Sequence, residues 1–131
     1  MHSYNIIEQG QKIEKASKAM IAIHGRGGSA QDILGLAHEL CDDTFYQAAP
    51  QATNNTWYPA GFMSPDEENA PWLESAVETI QRLINETSRH IPKENIYLMG
   101  FSQGANLSLE ISARHATKYG GIIAFSGALI G

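Results

Sequence analysis

The chain alternates short apolar runs with longer segments whose apolar positions recur at helical spacing. The runs are nearly continuous: 18–23, 44–49, 95–99 and 122–125. Such runs are typical of strands buried on both faces of a parallel sheet. Segments with helical spacing lie between them: 29–41, 73–87 and about 103–119. Because strands alternate with helices, the pattern predicts an α/β fold with a mostly parallel sheet and helices on both faces.

Local signals indicate several element boundaries. Ser29 is suited to cap the first helix, with Asp32 three residues later. Pro50 follows the second apolar run and should stop that strand. Residues 3–19 alternate loosely around Gly10, which predicts a small leading hairpin.

Residues 51–69 differ from the rest of the chain because they have no sustained period. This segment carries several large apolar side chains: Trp57, Tyr58, Pro59, Phe62 and Met63. Long irregular loops inside compact domains are usually functional or disordered, and the aromatic content argues against disorder. We therefore expect a functional loop.

Length and composition predict one soluble domain. The chain has 131 residues, of which 43% are hydrophobic and 18% charged, and we treat residues 1–131 as a single domain. The net charge is -5 and the nine lysines and arginines are scattered, which argues against a nucleic-acid partner.

The sequence gives no sign of export or of membrane insertion. The single cysteine, Cys41, excludes an internal disulfide. The first residues do not have the pattern of a signal peptide, and no apolar stretch approaches the eighteen or so residues of a membrane span. We expect a cytoplasmic protein.

The clearest chemical signal is Gly100-Phe101-Ser102-Gln103-Gly104, a G-x-S-x-G motif between a predicted strand and a predicted helix. So tight a reversal forces the serine into a strained backbone conformation and leaves no room for side chains at positions 100 and 104. The turn exposes the serine oxygen at the carboxyl end of the sheet, near the positive end of the helix. This context favours a nucleophilic Ser102 over a chance glycine–serine turn.

A second glycine-rich segment, His24-Gly25-Arg26-Gly27-Gly28, follows an earlier strand. Acyl transfer places negative charge on a carbonyl oxygen, and backbone N–H groups can bind that charge without reorganising. We predict the N–H groups of Arg26 and Gln103 as the oxyanion-hole donors. A solvated Arg26 side chain at the surface is compatible with this role, because only its backbone N–H takes part.

The same segment also matches the dinucleotide fingerprint G-x-G-x-x-A over residues 25–30. That interpretation requires an acidic residue at the end of the next strand, to bind a ribose. The strand ends instead at Ala49 and Pro50, and the nearby acids Asp42 and Asp43 precede it. A dinucleotide site is therefore the weaker alternative.

Together, four segments resemble the phospholipase/carboxylesterase family, which includes the acyl-protein thioesterases. They are His24–Gly28, Trp57–Pro59, Gly100–Gly104 and Phe125–Leu129. The resemblance runs from about Lys18 to Gly131 and implies an α/β-hydrolase fold that hydrolyses carboxylic esters or thioesters, with no cofactor and no metal. It places the nucleophile on Ser102 and the oxyanion donors on Arg26 and Gln103.

The resemblance also implies that the long loop lines an acyl or alcohol pocket. The candidate substrate-binding residues are Trp57, Tyr58, Phe62 and Met63. The alternative is that these side chains only pack the loop onto the core. Whether the substrate is a small ester, a lysophospholipid or an acylated protein stays open.

The remaining members of a catalytic triad are not evident in the sequence. In this fold an acid and then a histidine follow the serine, yet only Glu110 and His115 do so here. His115 lies thirteen residues along the same helix, on the order of 20 Å away. His24 precedes the serine, and a structural role is expected for it.

We therefore expect a domain that is incomplete on its C-terminal side, with the triad Asp and His outside these residues. The run at 122–125 would then form an exposed apolar sheet edge. The alternative function is a non-catalytic hydrolase-like fragment that binds an acyl ligand or a protein partner. A homodimer stays open.

Overall fold

Five strands form one sheet in the computed structural model, which describes residues 2–59, 69–114 and 119–125. The strands are β1 (Ile6–Gly10), β2 (Ala19–Ile23), β3 (Tyr46–Pro50), β4 (Ile96–Phe101) and β5 (Gly121–Phe125). Their spatial order is β1-β3-β2-β4-β5. All neighbouring pairs are parallel except β1 with β3. This confirms the mostly parallel sheet of an α/β fold.

The predicted leading hairpin is wrong. β1 pairs antiparallel with β3, so that Ile6 lies opposite Pro50 and Gly10 opposite Tyr46. The chain then turns through residues 12–16 and enters β2, which pairs with β3 and β4 instead. Every residue of β2 is buried, whereas β1 is only partly buried. The more apolar strand therefore occupies the sheet centre and β1 its edge.

In the described residues, three α-helices accompany the sheet: α1 (Ala30–Leu40), α2 (Asn69–Thr87) and α3 (Gln103–Arg114). The predicted cap of α1 is confirmed, since the Ser29 hydroxyl accepts a hydrogen bond from the Asp32 N–H at 3.1 Å. α2 begins four residues before the predicted start. Pro71 lies in its first turn. Backbone N–H groups there have no intrahelical acceptor, so a proline at this position costs the helix no hydrogen bond.

Two element ends also differ from the prediction. Pro50 is the last residue of β3 rather than the residue after it. The pairing of β3 with β2 ends at Ala48, so a proline at position 50 removes no hydrogen bond to β2. Tyr119, the predicted end of the last helix, lies outside any helix, and α3 ends at Arg114. Residues 115–118 lie outside the described part of the chain.

The core has two halves, one on each face of the sheet, as the pattern predicted. Alternate residues of β2 point to opposite faces: Ala19, Ile21 and Ile23 to one, Met20 and Ala22 to the other. The first face packs against α2 and α3, and the second against α1. Because the central strands are buried on both faces, their carboxyl ends are held rigidly at one edge of the domain.

Within the described residues, β5 is an edge strand that pairs with β4 on one side. Its side chains are not deeply buried, and Ile123 is 37% exposed. The predicted apolar edge at 122–125 is therefore observed in this part of the chain. An exposed apolar edge is a surface on which further chain can pair.

Candidate active site

Ser102 occupies the sharp turn between β4 and α3. Its φ is 58°, in the left-handed region that residues other than glycine rarely adopt. Holding a residue there costs about 1–3 kcal/mol, which the surrounding packing must offset. α3 begins at Gln103, and the first N–H groups of a helix have no intrahelical acceptor. The turn therefore presents a half-buried serine beside N–H groups at a helix start.

The glycines that flank the turn permit contacts that no side chain could enter. A Cβ atom at Gly100 would overlap the backbone of Gly104, and a Cβ atom at Gly104 would overlap the carbonyl oxygen of Ile23. The first turn of α3 thus lies directly on the end of β2. As expected from the sequence, the turn leaves no room for side chains at positions 100 and 104.

The segment after β2 lies against the same turn. A Cβ atom at Gly25 would be 2.8 Å from the Phe101 carbonyl oxygen and 2.9 Å from the Cβ of Ser102. The Gly27 N–H donates to the Asn55 carbonyl at 2.7 Å, and the Gly28 N–H donates to the Gly25 carbonyl at 3.0 Å. These bonds fix the glycine-rich loop next to the serine.

The Arg26 side chain contacts a distant part of the backbone. Although the residue is exposed, its Nη1 donates to the Pro59 carbonyl at 2.9 Å and its Nη2 to the Tyr58 carbonyl at 3.3 Å. These contacts could not be inferred from the sequence, because the acceptors are backbone atoms more than thirty positions away along the chain. The guanidinium therefore joins the glycine-rich loop to residues 51–59, the described part of the long irregular segment, which we call the aromatic loop.

The Gln103 side chain binds the same aromatic loop from the other side. Its Oε1 accepts a hydrogen bond from the Trp57 N–H at 3.0 Å, and its Nε2 donates to the Tyr58 carbonyl at 2.8 Å. The residue is 1% exposed. From the sequence, only its backbone N–H was expected to have a role. The side-chain role could not be found there, because both the burial of the amide and its partners depend on the fold.

Of the four predicted substrate-binding residues, the structure describes Trp57 and Tyr58, and both are fully buried. The Trp57 indole N–H donates to the His24 carbonyl at 2.9 Å. Its ring lies 5.1 Å from each of the His24 and His2 rings. Burial raises the pKa of Tyr58. These contacts pack the loop onto the core, which was the alternative to substrate binding for these two residues. Phe62 and Met63 lie outside the described residues.

Tyr58 also contributes to a cavity of about 230 Å³. The cavity is lined by residues of the aromatic loop and the start of α2: Thr53, Asn54, Thr56, Tyr58, Pro59 and Trp72. Trp72 was not singled out in the sequence, because it lies just before the periodic positions of α2. This mainly apolar space is a candidate for contact with a small substrate group.

Two histidines, the buried His24 and the half-buried His2, support the loop through both ring nitrogens. His24 donates from Nδ1 to the Gly25 carbonyl at 2.7 Å and accepts at Nε2 from the Ala52 N–H at 3.0 Å. His2 donates from Nε2 to the Trp57 carbonyl and accepts at Nδ1 from the Thr53 N–H. Burial lowers the pKa of both side chains. Each imidazole is held neutral in one tautomer, which suits a structural role for His24 rather than that of a base.

The residues that follow Ser102 give no acid–base pair in the described part of the chain. The Glu110 carboxylate pairs with the Arg114 guanidinium on the same helix, and Arg114 also pairs with Glu74 at 2.9 Å. His115 and residues 126–129 of the Phe125–Leu129 segment lie outside the described residues.

Residues 2–59, 69–114 and 119–125 contain no group of three histidine, cysteine, aspartate or glutamate side chains placed to bind one metal ion. Across the same residues, no helix combines the length and apolar character needed to cross a bilayer.

Comparison with known proteins decides the family. The profile of the phospholipase/carboxylesterase family matches residues 3–131, nearly the whole chain. The chain belongs to the phospholipase/carboxylesterase family. The fold is accordingly an α/β hydrolase, and the family's activity class is ester or thioester hydrolysis.

Individual relatives agree with this assignment. A phospholipase/carboxylesterase of Dyadobacter fermentans is 50% identical, with a TM-score of 0.90 over 95% of this chain and 60% of that one. Acyl-protein thioesterase 1 of Eremothecium gossypii is 29% identical, over 88% of this chain and 57% of the relative. TT1662 of Thermus thermophilus shares the fold, with 24% identity and a TM-score of 0.68 over 92% of this chain and 51% of that one. The chain thus spans less than two thirds of each relative's length.

The close contact at Gly104 gives a prediction about stability. Gly104→Ala should lower the free energy of unfolding by more than about 1–3 kcal/mol, because the new methyl group overlaps the Ile23 carbonyl. Gly35→Ala is the matched control. It lies in α1 with no atom near its would-be Cβ, and should raise stability by about 0.5–1 kcal/mol. Urea titrations followed by circular dichroism measure both. Equal stability of the two variants would contradict the described packing.

The neutral state of His24 gives a prediction about pH. Its pKa is lowered in the folded protein, so the unfolded chain binds a proton that the folded chain resists. The stabilisation that neutral His24 contributes should be fully present above its pKa in the unfolded chain, about 6.5. It should decline as the pH falls towards the lower pKa of His24 in the folded protein. His24→Leu should be less stable than the parent at pH 7.5, and the difference should narrow by pH 5.5.

The exposed His90 provides the control for this experiment. A His90→Leu variant should follow the parent's curve of unfolding free energy against pH. A difference between His24→Leu and the parent that stays constant from pH 7.5 to 5.5 would count against a neutral, buried His24.

Proposed function

We propose that this chain is the nucleophile-bearing part of a serine hydrolase that cleaves carboxylic esters or thioesters through an acyl-enzyme on Ser102. One observation carries the proposal: Ser102 is strained in a turn at the start of α3, with the glycine-rich loop packed against its Cβ. A serine held in this way, at the start of a helix and beside a glycine-rich loop, suits nucleophilic attack on an acyl carbonyl.

The chemistry follows from this placement. The Ser102 Oγ attacks the carbonyl carbon, its proton passes to a base, and the carbonyl oxygen becomes an oxyanion. The N–H groups of Gln103 and Arg26 would donate to that oxygen, helped by the positive end of α3. Collapse of the intermediate expels the alcohol or thiol, which takes the proton from the base. Water then attacks the acyl-enzyme by the reverse sequence and releases the acid.

The base and its supporting acid are proposed to lie outside these 131 residues, in the portion of the family's length that the chain does not span. His24 is an unsuitable base because both of its ring nitrogens are engaged. The chain would therefore supply the nucleophile, the oxyanion donors and one wall of the substrate site.

We place the acyl or alcohol group of the substrate against the aromatic loop. The cavity beside Tyr58, Pro59 and Trp72 would take a small apolar group, with Trp57, Phe62 and Met63 as further candidates. Acyl-protein thioesterase 1 of Eremothecium gossypii suggests thioesters of acylated proteins as one substrate class. A cytoplasmic location stays part of the proposal, because the lone Cys41 gives no disulfide of the kind secreted proteins use.

The two alternatives are weaker for physical reasons. In the dinucleotide interpretation, the N–H groups of Gly27 and Gly28 would bind phosphate, but both donate within the protein. A non-catalytic binding fragment is favoured only by the exposed edge of β5. It gives no reason for the strained serine.

Removal of the nucleophile tests the proposal. In the protein at its natural length, Ser102→Ala should lower kcat for a p-nitrophenyl ester and for an acyl thioester on the order of 10⁶-fold, by analogy with serine proteases. Ser112→Ala is the control, because its hydroxyl only donates to the Leu109 carbonyl on the same helix. Wild-type activity in Ser102→Ala would refute the proposed nucleophile.

The 131 residues expressed alone should be nearly inactive. Without the remaining triad members, a serine protease keeps only about 10³–10⁴-fold acceleration over water. Ester hydrolysis by the verified 131-residue chain at a rate close to that of the natural-length protein, abolished by Ser102→Ala, would show that the base lies within these residues after all.

A further inference from the structure

We propose that the Gln103 side chain, assisted by that of Arg26, positions the oxyanion hole by tying the nucleophile turn and the glycine-rich loop to the backbone of residues 57–59. This inference rests on the proposed function. It assigns to two side chains a role in catalysis that they exert through backbone N–H groups, so both are positioning residues rather than catalytic ones.

The Gln103 side-chain amide makes two hydrogen bonds to the loop backbone, one as acceptor and one as donor. It accepts from the Trp57 N–H and donates to the Tyr58 carbonyl, at 3.0 and 2.8 Å. An amide side chain offers a donor and an acceptor in one plane, which neither Glu nor Met can reproduce. Because Gln103 is 1% exposed, water cannot replace these partners, and the loop backbone determines where the residue sits.

The Tyr58 carbonyl is the point that both proposed oxyanion residues share. It accepts from the Gln103 Nε2 at 2.8 Å and from the Arg26 Nη2 at 3.3 Å. Arg26 also donates from Nη1 to the Pro59 carbonyl at 2.9 Å. The two backbone segments that would bind the oxyanion are thus linked through one oxygen atom.

The loop is a rigid support for these contacts. The Trp57 indole is fully buried, donates to the His24 carbonyl, and lies against two imidazole rings. A fixed loop holds Gln103 at the start of α3, next to the strained Ser102. Loss of the amide contacts would let this turn relax and the N–H of Gln103 reorient. A misplacement of about 1 Å in such a site can cost 10²-fold in rate.

A purely structural role for Gln103 would give a different result, and Gln47 provides the comparison. Gln47 is also fully buried, and its Oε1 accepts from the Gln9 Nε2 at 2.7 Å. It lies near the amino end of β3, opposite Met20 of β2, whereas Ser102 lies beyond the carboxyl end of β4. Its replacement should therefore affect stability without reaching the oxyanion hole.

The experiment compares Gln103→Met, Arg26→Met and Gln47→Met in the natural-length protein, at a temperature where circular dichroism shows each variant folded. The readouts are kcat and KM for a p-nitrophenyl ester and the inhibition constant of a trifluoromethyl ketone, whose adduct with serine carries an oxyanion. Ser102→Ala serves as the inactive reference.

We expect Gln103→Met to lower kcat by about 10- to 100-fold with little change in KM, since the contact matters in the transition state. The inhibition constant of the ketone should rise in parallel. Arg26→Met should lower kcat by a smaller factor, about three- to tenfold, because its contacts are exposed. Gln47→Met should lower the melting temperature and leave kcat unchanged.

The inference is overturned if Gln103→Met and Arg26→Met keep the parent's kcat and ketone affinity. Should Gln103→Met fail to fold, Arg26→Met decides alone, because its exposed side chain is not part of the core. A parent protein that does not hydrolyse the ester, or that loses no activity in Ser102→Ala, refutes the proposed function instead.

Discussion

The turn at Ser102 requires three backbone segments to approach more closely than side chains would allow. Gly100 meets Gly104 within the turn, Gly104 meets the end of β2, and Gly25 meets the Cβ of Ser102. Each contact depends on the absence of a methyl group. Together they hold Ser102 in the left-handed conformation. The rest of the candidate site is arranged around this constraint.

The sheet topology supplies the rigidity that such a turn needs. β2 and β4 are neighbours and parallel, so the glycine-rich loop and the nucleophile turn leave the sheet at the same edge. Both strands are buried between helices on two faces. The aromatic loop then spans the two segments, through the amide of Gln103 and the guanidinium of Arg26. Strain at one residue is thereby offset by packing and hydrogen bonds over the whole edge.

Local patterns in the sequence predicted the features that local physics determines. The Ser29 cap, the α/β alternation and the glycine spacing of the nucleophile turn depend on residues a few positions apart, and the structure has all three. The leading hairpin was wrong, because the choice between β2 and β3 as a partner for β1 depends on which strand fills the sheet centre. The side-chain roles of Arg26 and Gln103 were missed for a similar reason. Their partners are backbone atoms that only the fold brings near.

An activated Ser102 should react covalently with a fluorophosphonate. Intact mass and peptide mapping of the natural-length protein should show a single adduct, carried by Ser102 and absent from Ser102→Ala. An unmodified protein under conditions that label a known serine esterase, or an adduct on another residue, would contradict the claim.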